Sequence, residues 1–153
     1  MIPKQHPISL EQIKVKLSDF GLKATHQRMV VYDALQKMEI HPSAEEVYML
    51  IHPTNPSLSL ATVYNTLDSF VDAKLISKVS SEGGKSKYDF NTQHHHHIYL
   101  TNTGEIMDYH DTELLNIIQE YLNKKELTNL SIQDFQLHIK AEKINLLKNV
   151  IIK

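Results

Sequence analysis

Four helical patterns follow one another along the first half of the chain, and a hairpin pattern comes directly after them. Apolar residues recur at helical spacing in SLEQIKVKLSDFG, THQRMVVYDALQKM, PSAEEVYMLIH and LSLATVYNTLDSFVD, as is typical of amphipathic helices. Each pattern opens with a residue that can cap a helix: Ser9, Thr25, Ser43 and Ser59. The next stretch, LISKVSSEGGKSKYDFN, predicts two strands joined by a turn at Gly83–Gly84. Helices followed by such a hairpin predict a winged helix.

The second half of the chain has a different rhythm. HHIYLTNTGEIMDYHD predicts two short strands, DTELLNIIQEYLNKK an amphipathic helix, and LSIQDFQLHIKAEK a further strand. We therefore expect an α+β protein, with an N-terminal winged-helix domain in residues 1–90 and a small αβ domain in residues 91–153. The apolar end INLLKNVIIK leaves a surplus of apolar surface, which predicts a homodimer.

Composition limits the possible functions. The chain has no cysteine, which excludes disulfides, thiol catalysis and thiolate metal sites, so a metal must bind to nitrogen and oxygen. There is no long apolar run and no secretory profile at the start, so we expect a cytoplasmic protein without a membrane partner. Residues 1–90 carry ten basic and ten acidic side chains. Any charge that binds nucleic acid must therefore be local.

The fourth helical pattern has a mostly neutral face that can form hydrogen bonds. Its outward groups are expected to be Thr62, Asn65, Thr66 and Ser69. Such a helix can enter the major groove of double-stranded DNA, while Arg28 and the hairpin lysines, Lys78, Lys85 and Lys87, hold phosphates. Ordinary solvent-facing helices carry the same residue types, so both interpretations remain open at this point.

Four consecutive histidines, His94 to His97, stand at the start of the second half. In an extended segment His95 and His97 point one way, and His94 and His96 point the other way. Further candidate ligands are His41, Asp89 and Asp108. Three imidazoles and two carboxylates suit Fe(II), Mn(II) or Zn(II) better than Mg(II) or Ca(II). A histidine run can also bind metal adventitiously at a surface, so a built site and an adventitious tract both remain possible.

The motifs HPSAEEVY, SLATVYNTL, KYDF, HHHHIYL and TGEIMDYHD, in this order, resemble the ferric uptake regulator (Fur) family of bacterial metal-responsive repressors. The chain is most similar to the peroxide-sensing branch, because Asp89 and Asp108 stand where the iron-sensing branch typically has glutamates. The resemblance implies Fe(II) or Mn(II), with Zn(II) possible, at a regulatory site. Its ligands would be His41, Asp89, His95, His97 and Asp108.

The resemblance also implies a function. A metal-loaded homodimer would bind operator DNA as a repressor, and hydrogen peroxide would release it by iron-catalysed oxidation of His41 or His95. The side chains expected to meet DNA are Arg28, Ser59, Thr62, Tyr64, Asn65, Lys85 and Lys87. The same resemblance permits a repressor that responds to iron, zinc or manganese without sensing peroxide. A non-haem iron enzyme with two histidines and one carboxylate is a further alternative, although the predicted winged helix favours the repressor over an enzyme.

The chain departs from the family pattern at one structural feature. Members commonly hold a structural zinc with two C-x-x-C pairs, whereas Leu100 and Thr103 stand at the first pair here and the second is missing. We therefore expect no Zn(Cys)4 site. A second metal site, of the kind many members have, would involve His94 and His96.

Overall fold

The computed structural model describes residues 6–38, 41–80, 84–91, 93–125 and 127–152. These residues divide into two compact units, which we call the N-terminal unit, ending at Gln93, and the C-terminal unit, beginning at His94. No helix in the described part of the chain is long and apolar enough to cross a membrane.

Among the described residues, the helices of the N-terminal unit are α1 (Leu10–Asp19), α2 (His26–Lys37), α3 (Ala44–Ile51) and α4 (Leu60–Asp72). The four predicted caps are confirmed. The side chains of Ser9, Thr25, Ser43 and Ser59 each accept a hydrogen bond from a backbone N–H in the first turn of their helix. Because a side-chain oxygen satisfies one of the first N–H groups that lack a partner within the helix, these residues determine where each helix begins.

The helices of the N-terminal unit pack around one apolar core. Phe70 of α4 is fully buried and meets the ring of Tyr32 of α2 edge to face, at 6.2 Å between centroids. One predicted orientation was wrong: Thr66, expected on the outward face of α4, is buried. It lies three residues after Val63 and four before Phe70, which places it on the same side of the helix as these core residues.

A β-hairpin follows α4. Strands β1 (Ser77–Ser80) and β2 (Ser86–Asp89) are antiparallel. Of the predicted turn, Gly83 lies outside the described residues, and Gly84 has a φ of 79°, a backbone conformation that favours glycine. The backbone N–H of Tyr88 donates to the carbonyl of Pro42 at 2.8 Å. This bond holds β2 against the segment just before α3.

The described elements of the C-terminal unit are β3 (His96–Leu100), β4 (Ile106–Tyr109), α5 (Thr112–Lys124) and β5 (His138–Ala141). The sheet has the order β4-β3-β5, in which β4 is antiparallel and β5 parallel to β3. The last strand is shorter than the predicted one, and just before it the N–H of Leu137 donates to the imidazole of His96. The predicted α+β class, with a winged-helix unit before a small αβ unit, is confirmed.

The apolar side chains of helix α5 are only partly covered within the chain. Its N-cap Asp111 accepts a hydrogen bond from the N–H of Leu114, yet none of the thirteen residues of this helix is buried. Other large apolar side chains of the C-terminal unit are also exposed. They include Leu130, Ile144, Leu147 and Ile151, in addition to Ile117 and Tyr121 of α5. An exposed apolar surface of this kind usually marks a contact with another protein.

Candidate metal centre and nucleic-acid interface

The N-terminal unit brings one imidazole and one carboxylate together. His41 precedes α3 and Asp89 ends β2, and the bond between Tyr88 and Pro42 brings these two segments side by side. Nε2 of His41 lies 3.6 Å from Oδ1 of Asp89, and both side chains are buried. The same Oδ1 accepts a hydrogen bond from the N–H of Asn91 at 2.8 Å, which orients the carboxylate.

The C-terminal unit brings together the second group of predicted ligands. His95 and His97 stand two residues apart and point to one side, and Asp108 faces His97 across the β3–β4 ladder. The Nε2 atoms of the two histidines are 3.0 Å apart. Oδ1 of Asp108 lies 3.2 Å from Nε2 of His95 and 3.9 Å from Nε2 of His97. Both imidazoles are buried. We call His95, His97 and Asp108 the β-sheet triad.

The chemistry of the β-sheet triad fits a divalent transition metal. Two neutral imidazoles can hydrogen-bond at 3.0 Å only when one of them carries a proton between the rings, and a cation can take the place of that proton. Imidazole nitrogen and carboxylate oxygen are ligands that Fe(II), Mn(II) and Zn(II) accept. Burial of the two imidazoles also separates the triad from a surface histidine tract that binds metal adventitiously.

Two neighbours of the triad were not predicted from the sequence. The side-chain Nε2 of Gln136 lies 3.3 Å from Nδ1 of His97 and 3.2 Å from the backbone carbonyl of His95. The ring of His110 lies over that of His95, with 5.3 Å between centroids, and burial followed by the charge of His95 lowers the pKa of His110. His110 directly follows β4, and continued alternation predicts it on the side of Asp108, so the sequence does contain a signal for it. Nothing in the sequence signals Gln136.

His94 and His96 occupy a different environment, as the alternation predicted. Nδ1 of His94 lies 3.1 Å from Oδ1 of Asp134, and the ring of His96 stacks on that of Phe135 at 6.0 Å. Burial, and then the nearby His94, lowers the pKa of His96. Because Nδ1 of His96 accepts the hydrogen bond of Leu137, the proton of the neutral ring lies on Nε2. This proton opposes metal ligation through Nε2 of His96. A second metal site at His94 and His96 remains a prediction.

The residues predicted to meet DNA belong to the N-terminal unit. A shallow cleft of about 300 Å³ runs between the start of α2 and α4, lined by Thr25, Gln27, Arg28, Thr62, Asn65, Thr66 and Ser69. Nη1 of Arg28 donates to the carbonyl of Lys23 at 3.1 Å, and Asn65 is exposed. Ser59 serves as the cap of α4, and its hydroxyl lies 2.9 Å from that of Thr62.

The remaining predicted DNA contacts have acidic neighbours. The hydroxyl of Tyr64 donates to Glu45 at 3.0 Å, and Nζ of Lys87 lies 3.3 Å from Oε2 of Glu46. Lys85 is exposed beside Gly84 and lies within the electrostatic reach of Glu45. The surface around α4 is therefore polar and nearly balanced in charge.

Comparison with known proteins identifies the family. The model of the ferric uptake regulator family matches residues 19–140. The chain belongs to this family of transcription regulators, and the resemblance inferred from its motifs is confirmed. The chain is 34% identical over 110 residues to the peroxide-responsive repressor PerR of Staphylococcus epidermidis. The matched segment covers 72% of this chain and 73% of the relative.

Solved structures agree with this assignment. The ferric uptake regulator of Vibrio cholerae, described with rearranged DNA-binding domains, is 31% identical in sequence and superposes with a TM-score of 0.71. The match covers 85% of this chain and 98% of the Vibrio cholerae chain. The ferric uptake regulator of Pseudomonas aeruginosa, determined with manganese, is 27% identical with a TM-score of 0.72, covering 87% of this chain and 98% of its own.

Proposed function

We propose that this chain is a metal-dependent, peroxide-responsive transcriptional repressor that acts in the cytoplasm. The observation that carries the proposal is the β-sheet triad, with both of its imidazoles buried, in a member of the ferric uptake regulator family. The similarity to a peroxide-responsive repressor supports the choice of signal. The two aspartates, Asp89 and Asp108, agree with that branch of the family.

We infer that the pair in the N-terminal unit, His41 and Asp89, and the β-sheet triad bind the same Fe(II) or Mn(II) ion. Both groups are largely buried and offer the same kinds of donor, imidazole nitrogen and carboxylate oxygen. The manganese in the Pseudomonas aeruginosa relative supports a divalent metal here as well. Because each unit contributes ligands, binding of one ion would favour a single arrangement of the chain, and this arrangement would bind DNA.

When bound, Fe(II) supplies the reducing power that activates hydrogen peroxide. The net reaction transfers one oxygen atom from peroxide to an imidazole carbon of His41 or His95, and the other oxygen leaves as water. An oxidised imidazole is a weaker ligand. Loss of the metal then releases the DNA.

The DNA-binding surface would be the exposed side of α4 with the β1–β2 hairpin. Asn65, Thr62 and Tyr64 would meet base edges, Arg28, Lys85 and Lys87 would meet phosphates, and Ser59 would lie beside them. Operator sites of such proteins are commonly read by symmetric dimers. The partly covered apolar face of α5 and the exposed apolar C-terminal residues support a homodimer formed by the C-terminal unit.

The proposal is tested with the purified protein and a duplex that its Mn(II) form selects from a random pool. We expect a gel shift with Mn(II) or Fe(II) and none after chelation. Peroxide should abolish the shift of the Fe(II) form, with one added oxygen on His41 or His95 by peptide mass spectrometry, and should leave the Mn(II) form bound. The control variant is His138→Ala, which removes a histidine outside the predicted ligand set. It should behave as the wild type in these measurements.

Two results would contradict the proposal. Release of DNA by peroxide with all histidines intact would exclude the oxidation mechanism and leave a repressor that responds to metal level. DNA binding that does not depend on metal would exclude metal-dependent repression itself.

A further inference from the structure

Acidic side chains occupy the surface of the N-terminal unit that carries Tyr64 and Asn65. Asp68 stands in the middle of α4, one turn after Tyr64, and it is exposed. Its Oδ1 lies 3.2 Å from Nζ of Lys78, and the hydroxyl of Tyr88 lies 3.5 Å from the same atom. The α4 surface is therefore less positive than its lysines alone suggest.

Each lysine of the hairpin interacts with a carboxylate, two of them as ion pairs. Lys78 pairs with Asp68, and Lys87 pairs with Glu46. Glu45 attracts Lys85 electrostatically. Three negative charges thus offset three positive charges where phosphates would lie. Since phosphate contacts supply most of the affinity of non-specific DNA binding, this arrangement weakens attraction to DNA of any sequence.

Glu45 also holds the side chain of Tyr64. The phenol donates to Oε1 of Glu45 at 3.0 Å, and this bond, with the charge of Glu45, raises the pKa of Tyr64. The hydroxyl is therefore directed to an internal acceptor. A DNA sequence that makes no contact with the ring of Tyr64 does not compensate for breaking the hydrogen bond between Tyr64 and Glu45.

Helix stability accounts for only some of these acids. Glu46 completes the capping box of α3 by accepting the N–H of Ser43, and Glu45 lies in the first turn, where the helix dipole favours a negative charge. Asp68 has neither role, because it lies in the interior of α4, and aspartate is a poor helix former in such a position. Helix stability therefore does not explain why Asp68 places a negative charge opposite Lys78.

We propose that Glu45, Glu46 and Asp68 are specificity determinants, which suppress the binding of non-cognate DNA by the α4 surface. The inference rests on the proposed function, because it needs double-stranded DNA as the partner. At a cognate site the base contacts of α4 compensate for the unfavourable charge. At other sites the carboxylates repel the phosphates and keep the lysines engaged within the protein.

The test measures binding of the Mn(II)-loaded full chain to two duplexes of equal length, one selected from a random pool and one of random sequence. Asp68→Asn and Glu45→Gln keep the shape of each side chain and remove its charge. Each should tighten binding to the random duplex by roughly threefold to tenfold at 0.1 M salt, and should steepen the salt dependence by about one counterion. Affinity for the selected duplex should rise less, so discrimination between the duplexes falls.

Glu11→Gln is the matched control. Glu11 is an exposed acid of α1 that pairs with Lys14, so this variant has the same change in charge away from α4. If Asp68→Asn and Glu45→Gln alter discrimination no more than Glu11→Gln does, the inference is overturned and the proposed function stands. If the wild type selects no duplex and binds all sequences alike, both this inference and the proposed function fail. Melting temperatures measured alongside show whether each variant is folded.

Discussion

Replacing Asn65 by alanine tests which side of α4 meets DNA. The side chain is exposed and lies in the interior of the helix, where alanine is the better helix former by up to about 0.7 kcal/mol. Folding stability should therefore stay constant or rise slightly. If the amide reads an adenine edge, its loss costs about 1–3 kcal/mol of binding, or roughly 5-fold to 150-fold in affinity for the selected duplex.

Val63→Ala is the complementary perturbation, two residues earlier in the same helix. Val63 is fully buried in the core of the N-terminal unit, so removing two methyl groups should cost on the order of 2 kcal/mol of folding free energy. In a unit of this size that lowers the melting temperature by about 8–16 °C. Well below the melting temperature the variant is still folded, and its affinity for DNA should change less than about twofold.

Fluorescence anisotropy with a labelled selected duplex gives the affinities, and circular dichroism gives the melting temperatures. Mn(II) titration of each variant should match the wild type, since neither residue is a predicted ligand. The assignment of faces would be refuted if Asn65→Ala bound DNA as tightly as the wild type. It would equally be refuted if Val63→Ala weakened DNA binding more than Asn65→Ala at a temperature where both are folded.

Three smaller predictions concern single contacts. Ser43→Ala removes the cap of α3 and should cost about 1 kcal/mol of stability, seen as a lower melting temperature; an unchanged value would mean that the cap contributes nothing. Burial raises the pKa of Tyr88 to about 12, so its neutral form stabilises the fold, and this contribution is lost as the pH rises from 10 toward 12. An absorbance titration should show this late step, and Tyr88→Phe should remove it. Gln136→Ala removes the amide beside His97 and should weaken Mn(II) binding by about tenfold to 100-fold in a competition titration, whereas Gln133→Ala, on an exposed residue of the same segment, should not.

Local interactions explain why the helices could be predicted. Ser9 and Thr25 cap helices through bonds to N–H groups only three residues away, and the apolar spacing within each helix indicates its buried side. Thr66 shows where such reasoning fails. Residue type alone suggested an outward threonine, whereas packing of α4 against the core buried it.

The candidate ligands were only partly accessible to sequence reasoning. Alternation along an extended segment separated His95 and His97 from His94 and His96, because side chains of a strand point to opposite faces in turn. The distance between His97 and Asp108 depends on the register of β3 with β4, which is a tertiary property. Gln136 reaches His97 only because β5 pairs with β3 across about forty residues of chain.

The sequence by itself determined the kinds of element, the absence of thiolate ligands and the alternation of the histidines, since these follow from local hydrogen bonding, composition and backbone geometry. Tertiary structure alone decided which side chains meet. It paired Tyr64 with Glu45 and Lys87 with Glu46. Such contacts form between elements that are distant in sequence, and their geometry depends on how the core packs.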